Sequence, residues 1–203
     1  MTHGRIWYTA DPHFGSDSET IVIREMRPFR NIAEYTAEQI RIWNDQAAPD
    51  DVIYILGDFC NFNAFERDWE SGLAVSRRIN ARIVLLAGNS EERVADKYFD
   101  SNFSRFRSYC LNDPRFRFDD VRKNDYAVIC GEKFFLTHKP TDHNRSCLNL
   151  FGHTHRSTGL WKPYGFCVCT DLNHFRLFSE DDIMLLLEQK NGFWDHDPDN
   201  NCF

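Results

Sequence analysis

Two histidines spaced two residues apart, His153 and His155 in the stretch NLFGHTHRS, follow a short apolar run and a glycine. In an extended chain residues i and i+2 point to the same side, so both imidazoles can address one object. Imidazole is the commonest metal ligand, which makes a metal the first object to consider. The same kind of ending recurs along the chain. IWYTA (6–10) leads to Asp11 and His13, VIYIL (52–56) to Gly57 and Asp58, IVLLA (83–87) to Gly88 and Asn89, and KFFLT (133–137) to His138. A lone Asp-x-His or Gly-Asp arises often by chance, and a lone histidine is usually a structural hydrogen-bonder. Five run ends carrying Asp, His or Asn form a pattern, because ligands of open α/β sheets collect outside the carboxyl ends of strands. Glycine at three of the five lets backbone approach a ligand closely.

Elements that could position such a set are visible around it. The runs above, together with YAVIC (126–130), LNLF (148–151) and GFCVCT (165–170), are mostly continuous rather than alternating, as in strands covered on both faces. Between them AEYTAEQIRIWNDQ (33–46) places Tyr35, Ile40 and Trp43 near one helical stripe, and FERDWESGLAVSRRI (65–79) does the same with Trp69, Leu73 and Val75. SEDDIMLLLEQKNG (179–192) opens with a serine cap and acids and closes on glycine, the marks of a complete helix. The expected class is α/β, a layered sandwich with mixed central sheets flanked by helices, in one domain over 1–203. Residues 191–203 read as a polar tail, with Asp195, His196, Asp197 and Asp199 solvated and Phe193, Trp194 and Phe203 as anchors.

Bulk properties narrow the functions. A chain of 203 residues can bury its own core, and a net charge of -7 argues against a main task of gripping nucleic acid or an anionic membrane. Seven scattered cysteines with no CxxC pair argue against a disulfide framework or a Cys-rich zinc site and suit a reducing cytosol. The opening MTHGRIWYTADPHF lacks the pattern of a secretory signal, and no apolar run approaches membrane-spanning length. The expectation is a soluble, cytoplasmic protein without a membrane partner and of open oligomeric state. Walker A, GxGxxG and GxSxG patterns do not occur.

The ordered set D-x-H, G-D, G-N, a lone H and G-H-x-H resembles the calcineurin-like metallophosphoesterase superfamily over residues 11–155. ADPHFGSDSETIVIREMRPFRN further looks like a small bacterial and phage-associated branch in which D-x-H-F-G precedes an R-P-F segment. The resemblance implies Asp11, His13 and His155 as ligands of one metal, Asn89, His138 and His153 as ligands of the other, and Asp58 as the bridge. It implies two divalent cations, with manganese first; N and O donors without cysteine also suit Fe, Zn, Ni or Co. Their charge outweighs that of Asp11 and Asp58, so the centre stays positive and can hold a hydroxide and a phosphate anion. The implied reaction is attack on phosphorus by metal-bound hydroxide on a phosphorylated small molecule or nucleotide, with nucleic acid the less favoured substrate.

The chain departs from the family in two linked places. The third motif is usually Gly-Asn-His followed by an acid, and the second usually carries an Asp three residues after its first Asp. Here GNSEE and GDFCN put Ser90 where the family has its catalytic histidine and Asn61 where it has the Asp that orients it. Such a general acid typically contributes about 10²- to 10⁴-fold. Its loss points to phosphodiesters or nucleotide-type pyrophosphates, whose leaving groups need less help, before alkyl monoesters. The alternatives are a low-turnover binding protein for a phosphorylated ligand, and a fold whose histidines are structural. Ser90 and Asn61 can still donate hydrogen bonds to a phosphoryl oxygen. His143, in THKPTDHNRS, is a candidate proton source, with a surface-loop histidine the preferred reading. Arg24, Arg27 and Arg30 flank RPF and are either phosphate-clamping forks or a solvated helix end. FSRFRSYCLNDPRFRFDDVR alternates Arg and Phe and is read as a half-buried strand in preference to a base-stacking groove. Cys167 and Cys169 are expected to fill the core.

Overall fold

The computed structural model describes residues 4–15, 26–62, 68–157, 161–162 and 164–196. Three apolar runs pair side by side in parallel: β1 (Ile6–Thr9), β2 (Val52–Ile55) and β3 (Arg82–Leu86). β4 (Asp120–Arg122) extends them in parallel beside β3, and β10 (Phe178–Ser179) closes the other edge antiparallel to β1. A second sheet contains β5 (Asp125–Ile129), β6 (Glu132–Leu136), β7 (Leu148–Phe151), β8 (Trp161–Lys162) and β9 (Gly165–Cys167), in the order β5-β6-β7-β9-β8. Its centre, β6-β7-β9, is parallel and its edges are antiparallel. The architecture is the expected α/β sandwich with two mixed sheets.

The continuous apolar runs have the two-sided cover that they suggest. Trp7, Ile53, Ile55, Ile83 and Leu85 join one core with Trp43, Trp69 and Phe106 from the helices. Their neighbours Tyr8, Leu56 and Leu86 join a second core with Phe134, Leu136, Leu150 and Phe166 from the other sheet. The alternation of period two thus sends one face of the first sheet to helices and the other to the second sheet.

Helix α1 (Ile32–Gln46) starts where the Asn31 side chain accepts from the Glu34 N–H, and it buries Tyr35, Thr36, Gln39, Ile40 and Trp43. The second expected helix is shorter: α2 spans Asp68–Ala74, then Val75–Arg78 tighten into a 3-10 turn. Residues 65–67 of that pattern lie outside the described residues. Two helices were not expected, α3 (Asn89–Tyr98) and α4 (Phe103–Asn112). α4 corrects the strand assigned to the Arg/Phe segment. Asn102 caps it by accepting from the Arg105 N–H, and Phe106 and Cys110, four apart, are its buried face. Phe116 and Phe118 then enter the core from a loop, while Arg115 pairs with Glu70 and Asp113 and Arg117 bonds the carbonyls of Asn80 and Ala81. With the rings inward and the arginines tied to protein acceptors, no stacking groove forms there. α5 (Glu180–His196) is capped by Ser179, whose hydroxyl accepts from the Asp182 N–H, and it runs past Gly192 into the expected tail. Among the described residues no helix is long and apolar enough to cross a membrane.

Candidate metal centre

The strand ends converge as their order along the chain suggests, and they do so through strained turns. Asp11, His13, Asp58, His153 and His155 all have positive φ, between 45° and 72°. This left-handed region is uncommon for residues other than glycine. The loops after β1 and β2 are joined by backbone bonds: the Asp11 N–H donates to Gly57 O (3.1 Å), His13 to Asp58 O (2.9 Å) and Phe14 to Phe59 O (2.8 Å). Glycine is required at position 57 because φ is 92° and a Cβ would lie 2.7 Å from the Gly88 Cα and 2.4 Å from His138 Nδ1.

Both carboxylates divide their oxygens between scaffold and centre. Asp11 Oδ2 accepts from the His153 N–H (2.8 Å) and the Cys169 thiol (3.0 Å), while the buried Oδ1 has no hydrogen-bond partner. Asp58 Oδ1 accepts from the Ser90 N–H (2.8 Å), while Oδ2 lies 3.6 Å from His13 Nε2 and 3.6 Å from His138 Nε2. His13 Nε2 and His155 Nε2 are each 3.7 Å from Asp11 Oδ1 and 3.3 Å from each other. Ligand atoms about 2.1 Å from one ion sit roughly 3.0–3.5 Å apart, so the spacing suits shared ions better than direct bonds. Asp11, His13 and His155 form one group with ligand atoms within 4.8 Å of one another, and Asp11, Asp58 and His138 another.

The imidazoles are set for ligation. His138 Nδ1 faces the Leu56 carbonyl at 2.8 Å, which can only accept, so Nε2 is the bare nitrogen; it is buried and without a hydrogen-bond partner. His155 Nδ1 donates to Asp171 Oδ2 (2.7 Å), which leaves the lone pair of the ring on Nε2. Burial pushes His13 down to about 4, against the pull of Asp58 and Asp11, which leaves it in the neutral form that binds metal. Burial would raise Asp58, but His13 and His138 hold it below the usual carboxylate range. An orphaned carboxylate oxygen and an orphaned imidazole nitrogen, buried and facing one another's groups, are costly without a cation. The residues therefore fit divalent metal ions. On the far side Asn89 Nδ2 is 3.0 Å from His153 Nδ1, and the His153 ring meets His138 edge-on at 5.1 Å between centroids.

The other expected residues separate. Arg27 is not an open phosphate clamp. It is buried, with Nε and Nη2 on Asp171 (2.8 and 2.9 Å), Nη1 on Pro12 O (2.9 Å) and Nη2 on Asp11 O (2.8 Å). Arg30 is exposed and paired with Glu34, and Arg24 lies outside the described residues. His143 is half-buried, with Nδ1 donating to Pro140 O and its ring stacked on Tyr164 at 4.3 Å. Ser90 is buried in the first turn of α3, and the half-buried Asn61 donates its N–H to Phe14 O (2.7 Å). Cys167 and Cys169 are core residues, as expected, and Cys169 also touches Asp11.

Two residues at the centre escaped the sequence reading. Asp171 directly follows GFCVCT, a sixth run end of the same kind as the other five. Glu91, three residues past Gly88, is fully buried. It accepts from the N–H groups of Gly88 (2.9 Å), Asp58 (2.9 Å), Phe59 (3.0 Å) and Cys60 (3.3 Å). Burial and the neighbouring Asp58 push its carboxyl up to about 7, and the Gly88 and Cys60 N–H groups oppose that rise.

Fold and site together define an α/β protein of the metallophosphoesterase type. Over residues 4–192 the sequence matches the family model of calcineurin-like phosphoesterases, and the chain belongs to that family. An uncharacterized protein of Methanocaldococcus jannaschii is 23% identical over 114 residues, which span 56% of this chain and 61% of that protein. The solved structure of a protein of unknown function from Aquifex aeolicus superposes with a TM-score of 0.56 at 18% identity, covering 90% of this chain and 98% of that one. A novel archaeal phosphodiesterase gives a TM-score of 0.40 at 16% identity, over 81% of this chain and 82% of its own. Yfce, a phosphoesterase from E. coli, gives 0.38 at 16% identity, over 81% and 78%.

Proposed function

We propose that the protein is a dinuclear metal-dependent phosphoesterase that hydrolyses phosphodiester or nucleotide-type pyrophosphate bonds. The observation that carries this reading is Asp58 Oδ2 at 3.6 Å from both His13 Nε2 and His138 Nε2, one nitrogen from each proposed ligand set. Asp11, His13 and His155 would hold one cation, Asn89, His138 and His153 the other, and Asp58 both. When bound, two divalent cations stabilise charge on a phosphoryl group and lower the pKa of water for attack on phosphorus. The chain's own part is to fix the ligand nitrogens through Leu56 O and Asp171, and to hold Asp58 through the Ser90 N–H. Ser90 offers a hydroxyl where the family's general acid stands, which favours leaving groups that depart as stable anions. The same buried Ser90 supports the second reading, a binding protein for a phosphorylated ligand with low turnover. Six described cysteines are free thiols, which supports a cytoplasmic setting.

The test is metal content by elemental analysis together with hydrolysis of bis(p-nitrophenyl) phosphate and p-nitrophenyl phosphate with added Mn²⁺. Two metals per chain with faster diester cleavage are expected. Two metals without turnover of either ester would favour the binding protein, and no metal would remove both readings.

A further inference from the structure

Beside the centre lie two buried charges that are not among its proposed ligands. Arg27 and Asp171 lie 144 residues apart in sequence and meet in a two-pronged pair, both side chains fully buried. Such a pair gains little stability over apolar residues of the same volume, because taking both charges out of water offsets their attraction. Its remaining contacts say what it is for. The guanidinium donates to the carbonyls of Asp11 and Pro12, the turn in which Asp11 and His13 hold φ of 59° and 52°. Tyr35 supports the same turn, with its hydroxyl on Pro12 O (2.7 Å) and its ring 4.6 Å beneath the guanidinium. Asp171 takes the Nδ1–H of His155 at 2.7 Å on the oxygen that also receives Arg27 Nη2. One buried pair therefore bonds Asp11, Pro12, which precedes His13 in the same turn, and His155, and so braces the three proposed ligands of a single metal.

Among the described residues, the neighbouring imidazoles have no carboxylate on the nitrogen that is held. His138 is oriented by a backbone carbonyl, and His153 is exposed with the neutral Asn89 beside its Nδ1. A carboxylate on the far nitrogen of a ligating imidazole fixes its tautomer and raises its basicity, and loss of such a partner typically lowers metal affinity about 10- to 100-fold.

We infer that Arg27 and Asp171 are positioning residues that make the two metal sites unequal, giving the site of Asp11, His13 and His155 the higher affinity. The inference rests on the dinuclear reading above. It is tested on the full chain by Mn²⁺ titration followed by electron paramagnetic resonance, and by anomalous scattering from crystals loaded with one Mn²⁺ per chain. In the wild type the first ion should occupy the Asp11–His13–His155 site. Asp171→Asn, which keeps the shape but removes the charge, should weaken the tighter class about 10- to 100-fold and the weaker class less than threefold, so that the first ion moves to the other site. Arg27→Lys should act in the same direction with a smaller change. Melting of each variant in chelator reports the fold separately, and a variant that does not fold is replaced by the other. Equal weakening of both classes, or unchanged order of filling in Asp171→Asn, overturns the inference while leaving the dinuclear reading intact. A wild type that binds fewer than two ions removes that reading and the inference with it.

Discussion

The two sheets bring unlike chemistry to the centre. The ends of β1, β2 and β3 supply both carboxylates, Asp11 and Asp58, with His13 and Asn89, whereas the ends of β6 and β7 supply only imidazoles, His138, His153 and His155. The charged loops of the first sheet are tied to one another by backbone bonds and by Glu91. Of the imidazoles of the second, His138 is held by Leu56 O, past the end of β2, and His155 by Asp171, past the end of β9. Neither sheet alone offers both charge compensation and enough donors, so a cation held by the proposed ligands would draw them from both sheets. Metal affinity and the packing of the sheets are then one equilibrium.

The sharpest way to break this comparison is to remove charge from the first sheet. Asp58→Asn should lower metal content below one per chain and reduce diester hydrolysis at least about 100-fold, about 3 kcal/mol of barrier, with the circular dichroism spectrum kept. Two bound metals at wild-type turnover would mean that the carboxylate is not shared. Next in size is chelation. Ligands that bind only the folded state at about 100 times Kd contribute roughly 2.7 kcal/mol, and for a chain of this length that corresponds to a Tm about 5–10 °C higher with Mn²⁺ than with chelator. An unchanged Tm would uncouple the metals from the sheets.

A smaller effect should come from giving the first sheet the acid that its loops lack. Ser90→His with Asn61→Asp restores the imidazole and orienting carboxylate of the family pattern, and rates on poor leaving groups should rise about tenfold, roughly 1.4 kcal/mol. The plot of rate against leaving-group pKa should flatten; an unchanged slope with both metals bound would assign Ser90 to substrate fit instead. Per pH unit, the smallest effect is in acid. In the unfolded chain His13 takes a proton near 6.5, and in the fold burial delays this to about 4. Stability from the neutral ring is complete above pH 6.5 and is lost as pH falls toward 4, on the order of 1 kcal/mol per pH unit. Burial presses on His138 as well, but Asp11, Asp58, the Leu56 carbonyl and Glu91 together carry it the other way. The measurement is therefore the difference between wild type and His13→Asn in chelator, whose stability–pH slopes should diverge below pH 6.5.

Legibility in the sequence followed the physics of each residue. Strand ends could be read because the apolar runs are covered on both faces and stop abruptly at Asp, Gly or His. Helix α3 could not, since only Ser90, Glu91, Val94 and Ala95 are buried and the string looks polar. Helix α4 hid behind its Arg/Phe alternation, although Phe106 and Cys110 already carry a helical spacing. Strands β8 and β10 have two residues each, too few for any period. Arg27 read as a phosphate clamp or a solvated helix end and Asp171 went unread, because nothing local marks a residue whose partner is 144 positions away.

Glu91 gives the loops around Asp58 an unusual character. One carboxylate gathers the amide hydrogens of Gly88, Asp58, Phe59 and Cys60, none of which lies within a strand. Loops near ligand sites usually exchange their amide hydrogens with solvent through small local openings. Here four of them share one acceptor at the start of α3, so none can be released without disturbing the rest. In deuterated water these amides should behave as a block, exchanging together and as slowly as the strands beside them.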